Sequence, residues 1–228
     1  AALATLVALL AAGVSGNAGA LAMFALAAFV VAVVAQEFWR GLRARRAMAS
    51  ESPPVALVQL VRRNRRRYGG YVVHAAIVLL AIGIAGSSAY DSVAEGRLAR
   101  GESLAVGGYT LTYRELTERD GPNATEIRAI LDVRRGGDDL GTIAAGKNAY
   151  SVEQQVSNEV GIRSDLLTGE DLFVIAEQVR DDGAVVFRVF VKPLVNLIWI
   201  AGLVFLLGSV IALWPDMREQ RRLVERTR

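Results

Sequence analysis

Cysteine is absent from this 228-residue sequence, and histidine occurs only once, as His74. Without cysteine the chain can form no disulfide, perform no thiol chemistry and hold no c-type haem through thioether bonds of its own. We also recognise no catalytic triad, phosphate-binding loop or clustered set of metal ligands. Since imidazole is the commonest side-chain ligand of haem and metals, these absences direct attention to the single histidine.

Apolar residues are abundant instead, at 53% of the chain. They form four stretches separated by charged segments, which is typical of an integral membrane protein. The first stretch starts at residue 1 with no charged region before it, so a signal peptide is a poor interpretation. We therefore expect the C-terminal piece of a longer polytopic protein, or one subunit of a split one.

Charge is distributed unevenly behind a net value of +3. Residues 37–70 carry nine arginines against two glutamates, whereas residues 91–187 carry 18 acids against 10 bases. Because the arginines adjoin apolar spans, they are explained by the excess of positive charge in cytoplasmic loops, with no need for nucleic-acid binding. The acidic region is then expected on the other side of the membrane.

These patterns predict an α-helical polytopic membrane protein with about four transmembrane helices, the first truncated, and one inserted small β-rich extracytoplasmic domain. Residues 47–61 end in an apolar part that arginines follow from Arg62 onward, which indicates an interfacial helix. The predicted segments are 1–36, two transmembrane helices; 37–70, a cytoplasmic arginine-rich loop with the interfacial helix; 71–90, the helix with His74; 91–192, the periplasmic β-rich domain; 193–214, the last transmembrane helix; and 215–228, a cytoplasmic tail.

The polar region reads as β structure because apolar and polar residues alternate. Tyr109, Leu111 and Tyr113 alternate with polar neighbours, and residues 127–133 do the same. Turn signals at 120–123 and 136–139 separate these runs. We expect a small antiparallel barrel or sandwich, with a less regular stretch near residues 144–168.

His74 stands about 5 Å inside the membrane boundary if the span begins at Tyr71. An ionisable residue in a span is a functional hypothesis, although a histidine that snorkels or bonds a neighbouring helix would look the same. One face of the helix carries mostly small residues, which leave room for a macrocycle or for another helix. This face comprises His74, Val78, Ala81, Ala85 and Ser88.

Arg66 and Arg67 are the arginines nearest to the membrane before His74. Fixing orientation is a sufficient role for most arginines of this cluster. Arginine also binds carboxylates through paired hydrogen bonds, so both residues are candidates to contact haem propionates. None of the methionines, Met23, Met48 and Met217, matches the depth of His74, and a second axial ligand is expected from sequence outside this chain.

The motif RNRRRYGGYVVH at residues 63–74 resembles the hallmark of the CcmF family of cytochrome c maturation proteins and their nitrite-reductase-linked relatives. EVGIRS at 159–164 and GEDLFV at 169–174 are similar to the family's outer-domain segment. RVFVKPLV at 188–195, with Trp199, is similar to the start of its last helix. The resemblance covers essentially the whole chain but only the C-terminal third of the family.

The resemblance implies a haem lyase (cytochrome c synthetase) component of the bacterial cytoplasmic (inner) membrane, with residues 91–192 in the periplasm. Such a protein takes haem from a haem chaperone and joins its vinyl groups to the thiols of a CxxCH motif in apocytochrome c. His74 matches the family's transmembrane histidine that ligates a resident, non-covalent haem b, which supports reduction of the substrate haem. Other maturation subunits and membrane lipid are the further expected partners.

The family's tryptophan-rich external loop, external histidines and partner transmembrane histidine are not in this sequence. This fragment is therefore expected to be inactive alone. Two other interpretations stay open at this point. The chain could be a membrane-anchored module whose β domain docks the chaperone or apocytochrome, with His74 structural. A transporter fragment is disfavoured, because only one span carries an ionisable group.

Overall fold

The computed structural model describes residues 1–14, 16–166 and 168–214. The chain divides into a helical unit, Ala1–Ala85 with the chain from Leu197 onward, and a β unit, Gly86–Asn196. The predicted cytoplasmic tail, 215–228, lies outside the described residues.

Five helices follow from the apolar runs, and three of them are long and apolar enough to cross a membrane among the described residues: α2, α4 and α5. The Asn17 side chain caps α2 by accepting a hydrogen bond from the Ala20 amide (3.1 Å), as an N-cap residue does. Proline at the first two positions of α3 fits the unsatisfied amides of a helix start. The helices are α1 (Ala2–Ala11), α2 (Ala18–Ala49), α3 (Pro53–Arg63), α4 (Arg65–Ala89) and α5 (Asn196–Leu213).

The arginine-rich stretch 37–70 is more helical than a loop. The helix α2 continues to Ala49, and α4 begins at Arg65, six residues before the predicted start of the span at Tyr71. Arginine is a good helix former, and the first proline after the span is Pro53. The charged residues therefore mark the ends of the apolar spans, whereas the helices α2 and α4 extend beyond them.

Glycines bring α4 and α5 into close contact within the helical unit. A Cβ added at Gly69 would lie 2.6 Å from the Ala212 amide nitrogen, and one at Gly208 would lie 2.8 Å from that of Val73. The contacting residues are four apart on each helix, as expected for antiparallel packing through a small-xxx-small pattern. The second contact fixes the backbone one residue before His74.

The β unit consists of two antiparallel sheets. One sheet has the order β1-β9-β8-β7 and the other the order β2-β3-β4-β5-β6. The strands are β1 (Ser92–Leu98), β2 (Ser103–Val106), β3 (Tyr109–Asp120), β4 (Ala124–Arg135), β5 (Asp138–Tyr150), β6 (Gln155–Glu159), β7 (Gly161–Asp165), β8 (Glu170–Val179) and β9 (Val185–Pro193).

One hydrophobic core lies between the two sheets, which makes the unit a sandwich. Leu111 and Leu131 from one sheet and Leu172 and Phe187 from the other are fully buried in it. These residues occupy alternate positions along their strands, as a half-buried sheet requires. The prediction of a membrane protein with an inserted β-rich domain is confirmed, and of barrel and sandwich it is the sandwich that forms.

The stretch 144–168 is more regular than we expected. The strand β5 extends to Tyr150, and β6 and β7 both pair with neighbours before Asp165. Val156 and Ile162 in these two edge strands are 62% and 58% exposed. Because these strands bury little, their sequences lack the alternation by which the other strands were predicted.

Candidate functional site

His74 lies in the third turn of α4, and its side chain is exposed on the surface of the described chain. Its Nδ1 atom is 2.7 Å from the backbone carbonyl oxygen of Gly70, four residues earlier. A carbonyl oxygen can only accept, so Nδ1 must carry the hydrogen and donate it. The remaining ring nitrogen, Nε2, has no hydrogen-bond partner among the described residues.

This arrangement is the one that a metal-binding imidazole uses. Ligating histidines donate their other ring N–H to a carbonyl or carboxylate, which fixes the tautomer and the orientation of the ring. Gly70 supplies that acceptor from the same helix, without a second element of the fold. The Nδ1 hydrogen bond thus fixes the orientation of the His74 ring and leaves Nε2 as the ring nitrogen open to a ligand.

The small-residue face predicted around His74 is only partly open. Val78 is 7% exposed, so it packs against the rest of the helical unit. Ala81 and Ala85 are partly buried, whereas His74 and Ser88 are exposed. The predicted face therefore combines a packed edge with an open one, and the open edge carries the histidine.

Arg67, two turns before His74 on the same side of α4, is engaged by an acid. Its guanidinium forms an ion pair with Glu37 of α2, and its Nε donates to the Tyr71 hydroxyl (3.0 Å). The Tyr71 hydroxyl in turn donates to the Glu37 carboxylate (3.2 Å). Arg40 also reaches Glu37, at 3.7 Å. We call Glu37, Arg67 and Tyr71 the α2–α4 clamp.

Aromatic rings pack beside this clamp. The centroids of Phe38 and Tyr68 are 4.9 Å apart, and those of Tyr68 and Tyr71 are 5.8 Å apart, both with edge-on geometry. Such pairs contribute about 0.5–1.5 kcal/mol beyond their buried area. Together with the clamp they fix how the start of α4 is rotated against α2, and hence the direction of His74.

The structure places Arg67 and His74 on one side of α4, while Arg66, also exposed, projects about 80° to one side of His74 on helix geometry. Sequence reasoning missed Glu37 and the aromatic residues. The available signal was that Glu37 and Glu51 are the only acids in the first 90 residues. A lone acid that follows an apolar span needs a cationic partner, and Arg67 provides it.

The β-sandwich has a cleft of its own, about 360 Å³ in volume, where the β1–β2 turn meets the β8–β9 hairpin. The Tyr113 hydroxyl donates to the Gly183 carbonyl oxygen at its wall (3.2 Å). Burial raises the pKa of Tyr113, and the positive charge of Arg100 opposes the shift. The pKa of Asp182 on the hairpin is lowered, first by a hydrogen bond from the Ala184 amide and then by one from the Arg97 side chain.

Comparison with known proteins agrees with this architecture. Residues 89–193 match a family model described as the CcmF C-terminal beta-sandwich. The cytochrome c-type biogenesis protein CcmF of Pseudomonas aeruginosa is 32% identical over 149 residues, which are 65% of this chain and 22% of that protein. The cytochrome c-type biogenesis protein NrfE of Haemophilus influenzae is 26% identical over 156 residues, 68% of this chain and 24% of its own length.

A solved structure, that of Cytochrome c Heme Lyase CcmF, shares the fold with a TM-score of 0.74 and 25% identity. The match covers 94% of this chain and 34% of the solved chain. Apolar spans joined to a β-sandwich, with these relatives, define a multi-pass inner-membrane protein with a β-sandwich domain. The chain is similar to the C-terminal portion of the CcmF family, as the sequence motifs predicted. It spans 22% of the length of the Pseudomonas relative.

Proposed function

We propose that this chain is the C-terminal part of a haem lyase that joins haem to apocytochrome c, and that His74 ligates a resident, non-covalent haem b. The observation that carries the proposal is the exposed His74 imidazole, whose Nδ1 donates to the Gly70 carbonyl oxygen and leaves Nε2 available to bind iron. The family relationship supports the reaction class, since the solved relative is a haem lyase.

The residues present fit a haem in three respects. A neutral imidazole would be stable in an apolar setting and would bind iron through one nitrogen, while Gly70 holds the other ring nitrogen. On the face of α4 that carries His74, the partly buried residues Ala81 and Ala85 have small side chains. With no cysteine in the chain, a haem here would be held without covalent bonds and would be extractable by acid and acetone.

Arg67 and Arg66 are the proposed propionate contacts. Arg67 is shared with Glu37 and Tyr71, so a propionate would have to compete with Glu37 or add to the cluster from the exposed side. The Arg67 side chain is 59% exposed, which leaves room for a second carboxylate. Glu37 would thereby set how strongly Arg67 binds the propionate.

In the proposed reaction a haem chaperone delivers the substrate haem and apocytochrome c supplies the thiols. Each thioether forms when a cysteine S–H adds across a vinyl C=C bond, so sulfur bonds one carbon and the proton goes to the other. The resident haem, when bound, would supply an electron to the incoming haem iron. Within this chain His74 would hold the resident haem, Arg66 and Arg67 would orient it, and the clamp would keep α4 in register.

We further propose that the β-sandwich, residues 91–192, lies in the periplasm and that residues 37–70 face the cytoplasm. The charge asymmetry supports this orientation: nine arginines between the spans on one side and an acidic balance in the sandwich. The haem chaperone, apocytochrome c and other maturation subunits are then expected to meet this chain on its periplasmic side. Protease added to sealed vesicles of opposite orientation tests which side exposes the sandwich.

The proposal is tested by His74→Ala in the full-length protein. We expect loss of b-type haem from the purified protein and loss of cytochrome c maturation, with the protein still inserted in the membrane. Full haem content and full maturation in the variant would make His74 a packing residue. The chain would then act as an anchored module that docks the chaperone or apocytochrome.

A further inference from the structure

Four apolar side chains form a continuous row across the outer face of the sheet β1-β9-β8-β7, on the side away from the sandwich core. Each strand of the sheet contributes one of them. The strand register pairs them in the order Ile162, Phe173, Phe190 and Val93. We call these four residues the outer row.

The outer row faces away from the core because side chains alternate along a strand. Leu172 and Val189, which precede the two phenylalanines, are fully buried in the core. Val93 is 52% exposed and Ile162 is 58% exposed, while both phenylalanines are partly exposed. The outer faces of a sandwich are normally polar. A contiguous apolar row on such a face marks an interaction surface.

Acidic groups outnumber cations on the flank of the row that lies toward the β8–β9 turn. Glu95 and Glu177 both pair with Arg188, at 2.8 Å and 3.0 Å respectively. Two carboxylates therefore share one guanidinium beside the row.

The opposite flank, toward the end of β9, has the same imbalance. Lys192 pairs with Asp91, with 3.5 Å between nitrogen and oxygen. Asp171 lies opposite Lys192 in the register of β8 and β9. Its Oδ1 atom is buried and has no hydrogen-bond partner among the described residues. Each flank thus has one acidic group more than it has cations.

The spacing of the row suits a helix laid across the strands. Because neighbouring strands lie ~4.8 Å apart, the four side chains span about 14 Å. In an amphipathic helix apolar residues recur once per turn, about every 5.4 Å. In a β-strand the side chains of one face recur only about every 6.8 Å. About three turns of helix therefore match the four positions of the row better than a strand does.

We propose that the outer row binds an amphipathic helix of a partner protein, with lysines or arginines over the two acidic flanks. The apolar face of that helix would cover the four residues of the row. An anionic membrane surface, or the same face of a second copy, would instead bring like charges together, which is unfavourable. The proposal does not depend on the proposed haem lyase function.

The test uses the full chain in phosphatidylcholine nanodiscs and exploits its lack of cysteine. Ser164→Cys places a single thiol two residues from Ile162 on the same side of β7. Ser151→Cys, at another exposed serine of the β unit, is the matched control. The probe is a synthetic helical peptide of about 18 residues, roughly five turns, with leucines on one face, lysines beside them and one cysteine. A second peptide carries glutamate in place of every lysine.

Mixed disulfides formed in a glutathione buffer are counted by intact mass, relative to the reaction of each thiol with neutral hydroxyethyl disulfide. We expect Ser164→Cys to trap the lysine peptide about tenfold more than Ser151→Cys, because a helix bound at the row raises the local concentration of its thiol. The glutamate peptide should show no such preference. Equal trapping of the lysine peptide at both cysteines would overturn the site, and equal preference for the two peptides would overturn the charge assignment.

The contribution of the row itself is measured in the Ser164→Cys background. Val93→Thr with Ile162→Thr should abolish the preference, whereas Val152→Thr with Val156→Thr, at exposed valines outside the row, should keep it. A preference that survives the change at Val93 and Ile162 would overturn the site. A disulfide-linked dimer of Ser164→Cys formed without peptide would show that a second copy covers the row, and would overturn the partner assignment.

Discussion

The contact between Gly208 and Val73 provides a direct way to move His74 without altering it. In Gly208→Ala the new Cβ would lie 2.8 Å from the Val73 amide nitrogen, whereas ordinary contact begins at 3.4 Å. The two helices must therefore separate by about 0.6 Å at this turn. Since ligand geometry has to be held within about 0.5 Å, we expect the haem spectrum to change as well as the stability.

The magnitude follows from two opposing terms. Overpacking a tight contact costs about 1–3 kcal/mol. Replacing glycine by alanine within a helix returns up to ~1 kcal/mol of helix propensity. Gly202→Ala in the same helix gains helix propensity without overpacking, because a Cβ there meets nothing within 4 Å. The two variants should thus differ by about 1–3 kcal/mol in the free energy of unfolding.

The assay is reversible unfolding of the full-length protein in mixed micelles by increasing the fraction of dodecyl sulfate, together with the absorption spectrum of the haem that we propose His74 ligates. Gly208→Ala should unfold at a lower detergent fraction than Gly202→Ala and show an altered haem band. Equal stability and identical spectra in the two variants would refute the inference that this glycine contact positions α4.

Three further predictions concern the arginines and the sandwich. Arg66→Ala with Arg67→Ala should lower haem retention while insertion is kept by the other seven arginines of residues 37–70; unchanged haem in correctly inserted protein would reduce the pair to a topology signal. Leu131→Ala, at a fully buried position, should destabilise the sandwich by about 2–5 kcal/mol in thermal or denaturant unfolding, and a loss below ~1 kcal/mol would contradict the core assignment. Tyr113 has its pKa raised by burial. The contribution of Tyr113 to the free energy of unfolding is therefore fully present below its ordinary pKa. This free energy should fall as the pH rises through the folded-state pKa. Tyr113→Phe should weaken that alkaline decline, and an unchanged pH profile would show that Tyr113 does not titrate with folding.

Much of the fold was predictable because its signals are local. The spans follow from runs of apolar residues, and the longer strands from alternation of apolar and polar residues. The lone histidine in the span and the motif around it pointed both to the family that the chain resembles and to the candidate ligand. His74, Arg66 and Arg67 themselves stay predictions until haem binding is measured.

The contacts between helices were not predictable, because they depend on which faces meet. Nothing in the sequence near Glu37 shows that α4 will bring Arg67 and Tyr71 to it, 30 and 34 residues later. The pairing of Gly208 with Val73 joins residues still further apart and depends on close backbone approach. The edge strands β6 and β7 were missed for a different reason, since strands that bury little carry no clear alternation.

The central claim, that the His74 imidazole ligates haem, is tested most directly by replacing the ring and returning it from solution. His74→Gly in the full-length protein removes the imidazole and leaves space for a free one. We predict that the purified variant lacks the native haem spectrum and that added imidazole restores it saturably. A variant that shows the native haem spectrum and haem content before any imidazole is added would contradict the claim.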